Sequence, residues 1–91
     1  MLEKNLQKRM SGLLKKNGWF VRKVEAVGNA GLPDLLLLRD GEVTFVEVKT
    51  TQGRLSARQV LVIDEINRSG GRALVWYGLG DCVAFIEGGG I

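Results

Sequence analysis

One dipeptide near the middle of the chain, Asp40-Gly41, most constrains what this sequence can fold into. It separates two short apolar runs, Leu35 to Leu38 and Val43 to Val48. Asp-Gly suits the positive φ angles of a two-residue turn, so the pattern predicts a β-hairpin. The turn also fixes the register of the two strands, and a shift of one residue would move every side chain to the opposite face.

The predicted register gathers charged side chains on one face of the hairpin. Arg39 faces Glu42 across the turn, and counting back along both strands places Asp34 opposite Glu47, about 5 Å away at Cβ. Lys49 lies two residues beyond Glu47 on the same face, roughly 7 Å along the strand. Opposed like charges destabilise a sheet unless something neutralises them, and a divalent cation is the usual neutraliser. The alternative is a solvated polar face with a chance ion pair.

Histidine is absent from all 91 residues, and Cys82 is the only cysteine. These absences exclude Ser-His-Asp and Cys-His catalysis, histidine-based metal nucleases and a structural zinc site. A catalytic function would therefore depend on carboxylates, lysine and a hard cation. The lone cysteine fits a reducing compartment. With no apolar run long enough to span a bilayer and a charged N-terminus, we expect a cytoplasmic protein without membrane or signal segments.

The formal charge of +3 is unevenly distributed. Against Glu3 alone, the first 24 residues hold seven basic side chains, at Lys4, Lys8, Arg9, Lys15, Lys16, Arg22 and Lys23. Such a cluster is typical of a surface that binds polyanions such as nucleic acid, although an ordinary solvated helix face has the same composition.

The segment from Leu2 to Lys16 predicts an amphipathic helix, with its leucines and Met10 in one sector of about 120°. Glu3 falls inside that apolar sector. It serves either as a favourable first-turn acid for the helix dipole or as a third carboxylate directed towards the charged face of the hairpin.

A second helix is predicted from Ser56, which forms a capping box with Gln59, to about Asn67 or Arg68. Gln59 falls on the inward face of this helix, so it acts as the capping partner or also contacts the charged site. The apolar run from Arg72 to Tyr77 predicts a strand buried on both faces, parallel to the strand that begins at Val43.

Four further segments complete the single domain predicted for residues 1–91. Trp19 to Val24 predicts a first strand, and glycines predict a loop over residues 25–32. Cys82 to Ile86 predicts a last short strand or extended tail, and we expect residues 88–91 to be disordered.

The motif residues resemble the VRR-NUC (virus-type replication-repair nuclease) family of the PD-(D/E)-x-K nucleases. They are Gly31-x-Pro33-Asp34, Glu47-x-Lys49 and Gly53-x-Leu55-Ser56-x-x-Gln59. The resemblance implies an α/β, restriction-endonuclease-like core, a mixed sheet flanked by helices in the order α-β-β-β-α-β. It also implies Mg²⁺- or Mn²⁺-dependent cutting of DNA, with no small-molecule cofactor.

The same resemblance implies a role for each site residue. Asp34 and Glu47 match the metal-ligating carboxylates, and the Val48 backbone carbonyl joins them. Lys49 matches the catalytic lysine, Gln59 the helix-borne glutamine and Glu3 the acidic residue of the first helix. We assign DNA binding to the basic residues Lys4, Lys8, Lys15, Lys16, Arg54 and Arg58.

Small stand-alone relatives, bacterial or phage-encoded, imply a homodimer that cuts branched DNA such as four-way (Holliday) junctions in replication, repair and recombination. The Trp76-Tyr77 strand end and the segment from Cys82 are the predicted interface because they are apolar. Two alternatives stay open: a non-catalytic DNA-binding module with the same fold, and an RNA-directed nuclease.

Overall fold

The computed structural model describes residues 2–25 and 30–91, so residues 26–29 of the predicted loop lie outside it. It shows a four-stranded mixed sheet flanked by helices, which confirms the predicted fold class. None of the described helices is long and apolar enough to cross a membrane. The elements in chain order are α1 (Glu3–Lys16), β1 (Phe20–Lys23), β2 (Leu35–Arg39), β3 (Glu42–Lys49), α2 (Ala57–Arg68), β4 (Ala73–Tyr77) and α3 (Leu79–Glu87).

The central hairpin has the predicted turn and register. Asp40 and Gly41 adopt φ angles of 52° and 80°, the left-handed pair that a tight hairpin turn requires. β2 and β3 pair antiparallel with Leu35 opposite Val46, which places Asp34 opposite Glu47. Local turn chemistry therefore positions the two carboxylates.

The segment after the hairpin forms the predicted β-α-β unit, with β4 parallel to β3. The sheet order is β1-β2-β3-β4, so β4 lies at an edge. The prediction that this strand is buried on both faces is therefore wrong: Val75 is half-buried and Tyr77 is 40% exposed. An apolar run indicates burial only where neighbouring elements cover both faces of the strand, and an edge strand has fewer neighbours.

One face of the sheet carries the hydrophobic core. α1 contributes Leu6, Met10 and Leu14, as its apolar sector predicts, and α3 contributes Cys82 and Phe85. These side chains pack against alternate residues of the strands, which are Val21, Leu35, Leu37, Val46, Val48 and Trp76.

The C-terminal segment differs from its prediction. Residues 79–87 form a helix rather than a short strand, and Cys82 and Phe85 lie one turn apart on its buried side. The predicted dimer surface is also wrong in two of its members, because Trp76 and Cys82 are 4% and 0% exposed within one chain. Gly90, predicted to lie in a disordered tail, packs against Trp19, and its carbonyl accepts a 2.7 Å hydrogen bond from Arg72.

The outer edge of β4 is partly closed by side chains. In the parallel ladder Arg72 and Gly78 bond to β3, so by alternation Ala73, Val75 and Tyr77 direct their backbone groups outwards. The Asn67 side chain accepts from the Ala73 N–H at 2.8 Å and donates to the Ala73 carbonyl at 3.2 Å. Asp81 accepts from the Tyr77 N–H at 2.8 Å.

Candidate active site

The candidate site forms where β3 continues past the start of β2. Phe45 and Lys49 bond to the β4 side of the ladder, so by alternation the Val48 N–H and carbonyl face the β2 side. There the Asp34 carboxylate takes the place of a strand partner, and its Oδ2 accepts the Val48 N–H at 2.8 Å. The Val48 carbonyl, a predicted metal ligand, thus faces the side on which Asp34 lies.

Glu47 is the centre of the site and is only 2% exposed. Its Oε2 lies 3.6 Å from Lys49 Nζ and accepts a 3.1 Å hydrogen bond from Gln59 Nε2. Its Oε1 is buried without a hydrogen-bond partner among the described residues. One carboxylate oxygen is therefore held in place while the other stays available to a ligand.

Gln59 joins the start of α2 to strand β3. Its Oε1 accepts from the Ser56 N–H at 2.9 Å, and Ser56 Oγ accepts from the Gln59 N–H at 3.1 Å, which completes the capping box. The remaining amide group of Gln59 donates to Glu47. Gln59 therefore serves as the capping partner of Ser56 and also contacts the charged site, so both alternatives from the sequence apply to it.

The negative charge of Asp34 and Glu47 exceeds the positive charge that Lys49 supplies beside them. The pKa of Glu47 is raised from 4.5 to about 7, mainly because the carboxylate is buried. The nearby negative charge of Asp34 raises the pKa of Glu47 further, and the ammonium of Lys49 lowers it. Two acidic groups thus face one ammonium, an arrangement that favours either a shared proton or an additional cation.

These donors fit a hard divalent cation. Carboxylate and carbonyl oxygens are the ligands that Mg²⁺ and Mn²⁺ prefer, and the partnerless Glu47 Oε1 supplies a buried oxygen for one. Glu3 lies in the first turn of α1 and is half-buried, on the same side of the helix as Leu6. In the described part of the chain, no three Asp, Glu, His or Cys residues form a metal-binding group. The structure therefore brings Asp34 and Glu47 together without Glu3.

Two glycines of the motif allow close packing around the site. Gly53 crosses the aliphatic stem of Lys49, where a Cβ would lie 3.2 Å from Lys49 Cβ. Gly31 has a φ of +89°, and a Cβ there would lie 2.6 Å from Arg58 Cγ. Both positions explain in packing terms why the motif contains glycine.

The predicted DNA-binding residues fall into separate places. Lys4, Lys8 and Lys15 line a groove between α1 and β1, together with Arg22 and Lys23. Lys16 is exposed in the last turn of α1, and Arg54 and Arg58 are exposed just before α2 and in its first turn. Arg22 and Lys23 belong to the basic cluster noted in the sequence but were not assigned to DNA binding, because the pairing of β1 with β2, which sets their place, has no local sequence signal.

Comparison with known proteins agrees with this geometry. The family model of the VRR-NUC domain matches residues 4–79. A solved structure described as a VRR-NUC domain is similar to the chain with a TM-score of 0.83 and 29% identity. That similarity covers 93% of this chain and 94% of the other. No curated protein matches significantly. This chain therefore belongs to the VRR-NUC family, a family of nuclease-type domains.

Proposed function

We propose that the domain is a divalent-metal-dependent endonuclease that hydrolyses phosphodiester bonds in DNA. One observation carries the proposal: a buried carboxylate oxygen, Glu47 Oε1, has no partner in the described structure, yet lies in a residue that contacts Asp34 and Lys49. Unpartnered buried polar atoms are costly and therefore uncommon in a purely structural ion pair. In a site that binds a cation, this oxygen would be one of the ligands.

Asp34, Glu47 and the Val48 carbonyl would hold Mg²⁺ or Mn²⁺. When bound, such an ion lowers the pKa of water and stabilises charge that develops on phosphate oxygens. The chain itself fixes the ligands: the Val48 N–H orients Asp34, and Gln59 orients Glu47. This support leaves the ligand oxygens little rotational freedom before substrate arrives.

Among the described residues, Lys49 is the cation that forms an ion pair with Glu47. Its ammonium is almost buried and lies 3.6 Å from Glu47 Oε2, so it is held by the site rather than by solvent. As a compact cation it would orient the attacking water or offset the charge that develops on the phosphate. Gln59 acts as a positioning residue through Glu47.

We extend the proposal to branched DNA, such as four-way junctions of replication, repair and recombination, and to a homodimer. The resemblance to small stand-alone relatives supports both. Symmetric cuts in a junction need two active sites related by a two-fold axis. One apolar surface available to a second copy is a row across three strands, Phe20, Leu38 and Val43, which are 44%, 37% and 43% exposed.

A cleavage assay tests the activity. Wild-type protein is incubated with linear duplex, flap, four-way junction and RNA substrates, with Mg²⁺ or with EDTA. We expect Mg²⁺-dependent cutting of DNA, fastest on the branched substrates. Absence of cutting on every DNA, together with calorimetry that detects no Mn²⁺ binding, would support the non-catalytic alternative. Preferential cutting of RNA would support the RNA-directed one.

The variant Lys49→Ala separates catalysis from binding. We expect its cleavage rate to fall by about 10²-fold to 10³-fold because charge stabilisation in the transition state is lost. DNA binding in EDTA should be nearly unchanged. Cutting at a rate comparable to wild type would contradict the role of Lys49.

A further inference from the structure

The groove between α1 and β1 is a strongly basic surface that lies outside the carboxylate site. One wall is a stripe on α1 formed by Lys4, Gln7, Lys8, Ser11 and Lys15. The opposite wall is the edge strand β1, with Arg22 and Lys23, and Val21 and Leu35 also line the groove. Its volume is about 320 Å³.

The charge of this groove is uncompensated. Five of its nine lining residues are basic, and the described lining includes no acidic residue. None of the five basic side chains forms an ion pair with another described residue. Arg22 is held in place by a 2.8 Å hydrogen bond to the Val21 carbonyl and lies 4.3 Å from the centre of the Phe20 ring. Its orientation is therefore fixed without neutralising its charge.

The spacing of the lysines suits an extended polyanion. Lys4 and Lys15 are eleven residues apart on one stripe, which is about 16 Å along the helix. A DNA strand presents one phosphate per 3.4 Å of helix axis, so about five phosphates pass over that length. A small anion would need convergent donors around one point, which a stripe of this length does not provide.

The position of the groove relates it to the carboxylate site. Leu35 lines the groove and directly follows Asp34, while the Val24 N–H, next to Lys23, donates to the Asp34 carbonyl at 2.8 Å. The groove lies on the α1 side of the sheet, whereas Glu47 and Gln59 meet on the α2 side. A strand in the groove therefore reaches the edge of the site without occupying it.

We propose that this groove binds the phosphodiester backbone of the DNA substrate beside the carboxylate site, at phosphates other than the one that is cut. The inference rests on the proposed function for the identity of the polyanion. It assigns Lys23 to substrate binding together with Lys4, Lys8 and Lys15, whereas the Arg22 guanidinium stacks on Phe20 at the edge of β1. Arg54 and Arg58 belong to a different surface, beside α2.

Fluorescence anisotropy in EDTA tests the groove without requiring cleavage. Labelled duplex DNA is titrated with wild type, with Lys8→Ala/Lys23→Ala, and with Arg9→Ala/Arg68→Ala, which removes the same charge outside the groove. We expect the groove variant to bind at least tenfold more weakly. The slope of log K against log salt should fall by about 2, since each lost phosphate contact contributes about 0.9.

Several outcomes decide the proposal. Binding of the control variant within about twofold of wild type, and recovery by Lys8→Arg/Lys23→Arg, support it. An equal loss in the two alanine variants overturns it, because binding then reports net charge alone. Circular dichroism verifies that each variant is folded. Groove-dependent binding without Mg²⁺-dependent cleavage would refute the proposed function alone, whereas cleavage with unaltered binding by the groove variant would refute the groove alone.

Discussion

The two faces of the sheet differ in what covers them. On the α1 and α3 face, Met10, Leu14, Val46 and Val48 are fully buried. On the α2 face the helix contributes no fully buried residue, although every position in it is described. That face buries Glu47 and Lys49. It leaves the row formed by Phe20, Leu38 and Val43 exposed. One face thus holds the domain together, and the other carries the charged residues of the candidate site.

This division matters for so small a chain. A domain of 91 residues has a modest core, and buried charges reduce its stability unless they are paired. Confining them to the face that contributes least to the core limits their cost. Each prediction below separates the two faces by experiment.

The largest expected effect is on the α2 face. Glu47→Gln removes the ligand charge, so we expect Mn²⁺ binding by calorimetry to be lost and cleavage to fall by about 10³-fold. Glu42→Gln is the matched control, because this carboxylate lies at the other end of β3 and its side chain is 74% exposed. Equal losses in the two variants would mean that the effect is not specific to the site.

Truncation of the core tests the α1 face. Leu14→Ala should lower the free energy of unfolding by about 3 kcal/mol, because it leaves a cavity in a fully buried position. Leu38→Ala, on the exposed row, should lower the free energy of unfolding by less than about 1 kcal/mol, measured by urea denaturation at low protein concentration. A large cost for Leu38→Ala that grows with protein concentration would show that a second copy covers this row.

Changing the pH probes the cost of the buried carboxylate. The pKa of Glu47 is about 7 in the folded state and 4.5 in the reference state, so the folded domain binds more protons between these values. The free energy of unfolding of the metal-free domain should therefore fall as pH rises from 4.5 to 7, by at most about 3 kcal/mol. Denaturation at several pH values measures this, and Glu47→Gln should remove most of the dependence.

The smallest effects distinguish the two roles of Gln59. Ser56→Ala and Gln59→Ala each remove part of the capping box and should each cost about 1 kcal/mol of stability. Only Gln59→Ala also removes the hydrogen bond to Glu47, so only this variant should cleave more slowly at equal folded fraction. Equal cleavage by the two variants would confine Gln59 to capping.

The parts of the fold and of the candidate site that could be predicted from the sequence are those that local chemistry determines. The Asp40-Gly41 turn specifies its own dihedral angles, so the register that pairs Asp34 with Glu47 followed from the sequence. The capping box likewise fixed the start of α2 and the inward direction of Gln59.

The errors lie where long-range packing decides the structure. The run from Cys82 to Ile86 is short and apolar, and such runs suit a strand or a buried helix equally. Its helical form depends on packing against α1 and β4, which the sequence does not display locally. The basic groove could not be predicted for the same reason, because β1 and α1 meet only in the folded chain.

The side-chain bonds along β4 also limit how the domain meets other chains. An incoming strand needs a free ladder of N–H and carbonyl groups, but Asn67 and Asp81 already satisfy those of Ala73 and the N–H of Tyr77. The segment Ala-Leu-Val-Trp-Tyr would otherwise be an uncharged template for strand addition. The side chains of Asn67 and Asp81 thus help to prevent the outer edge of β4 from pairing with a strand of another chain.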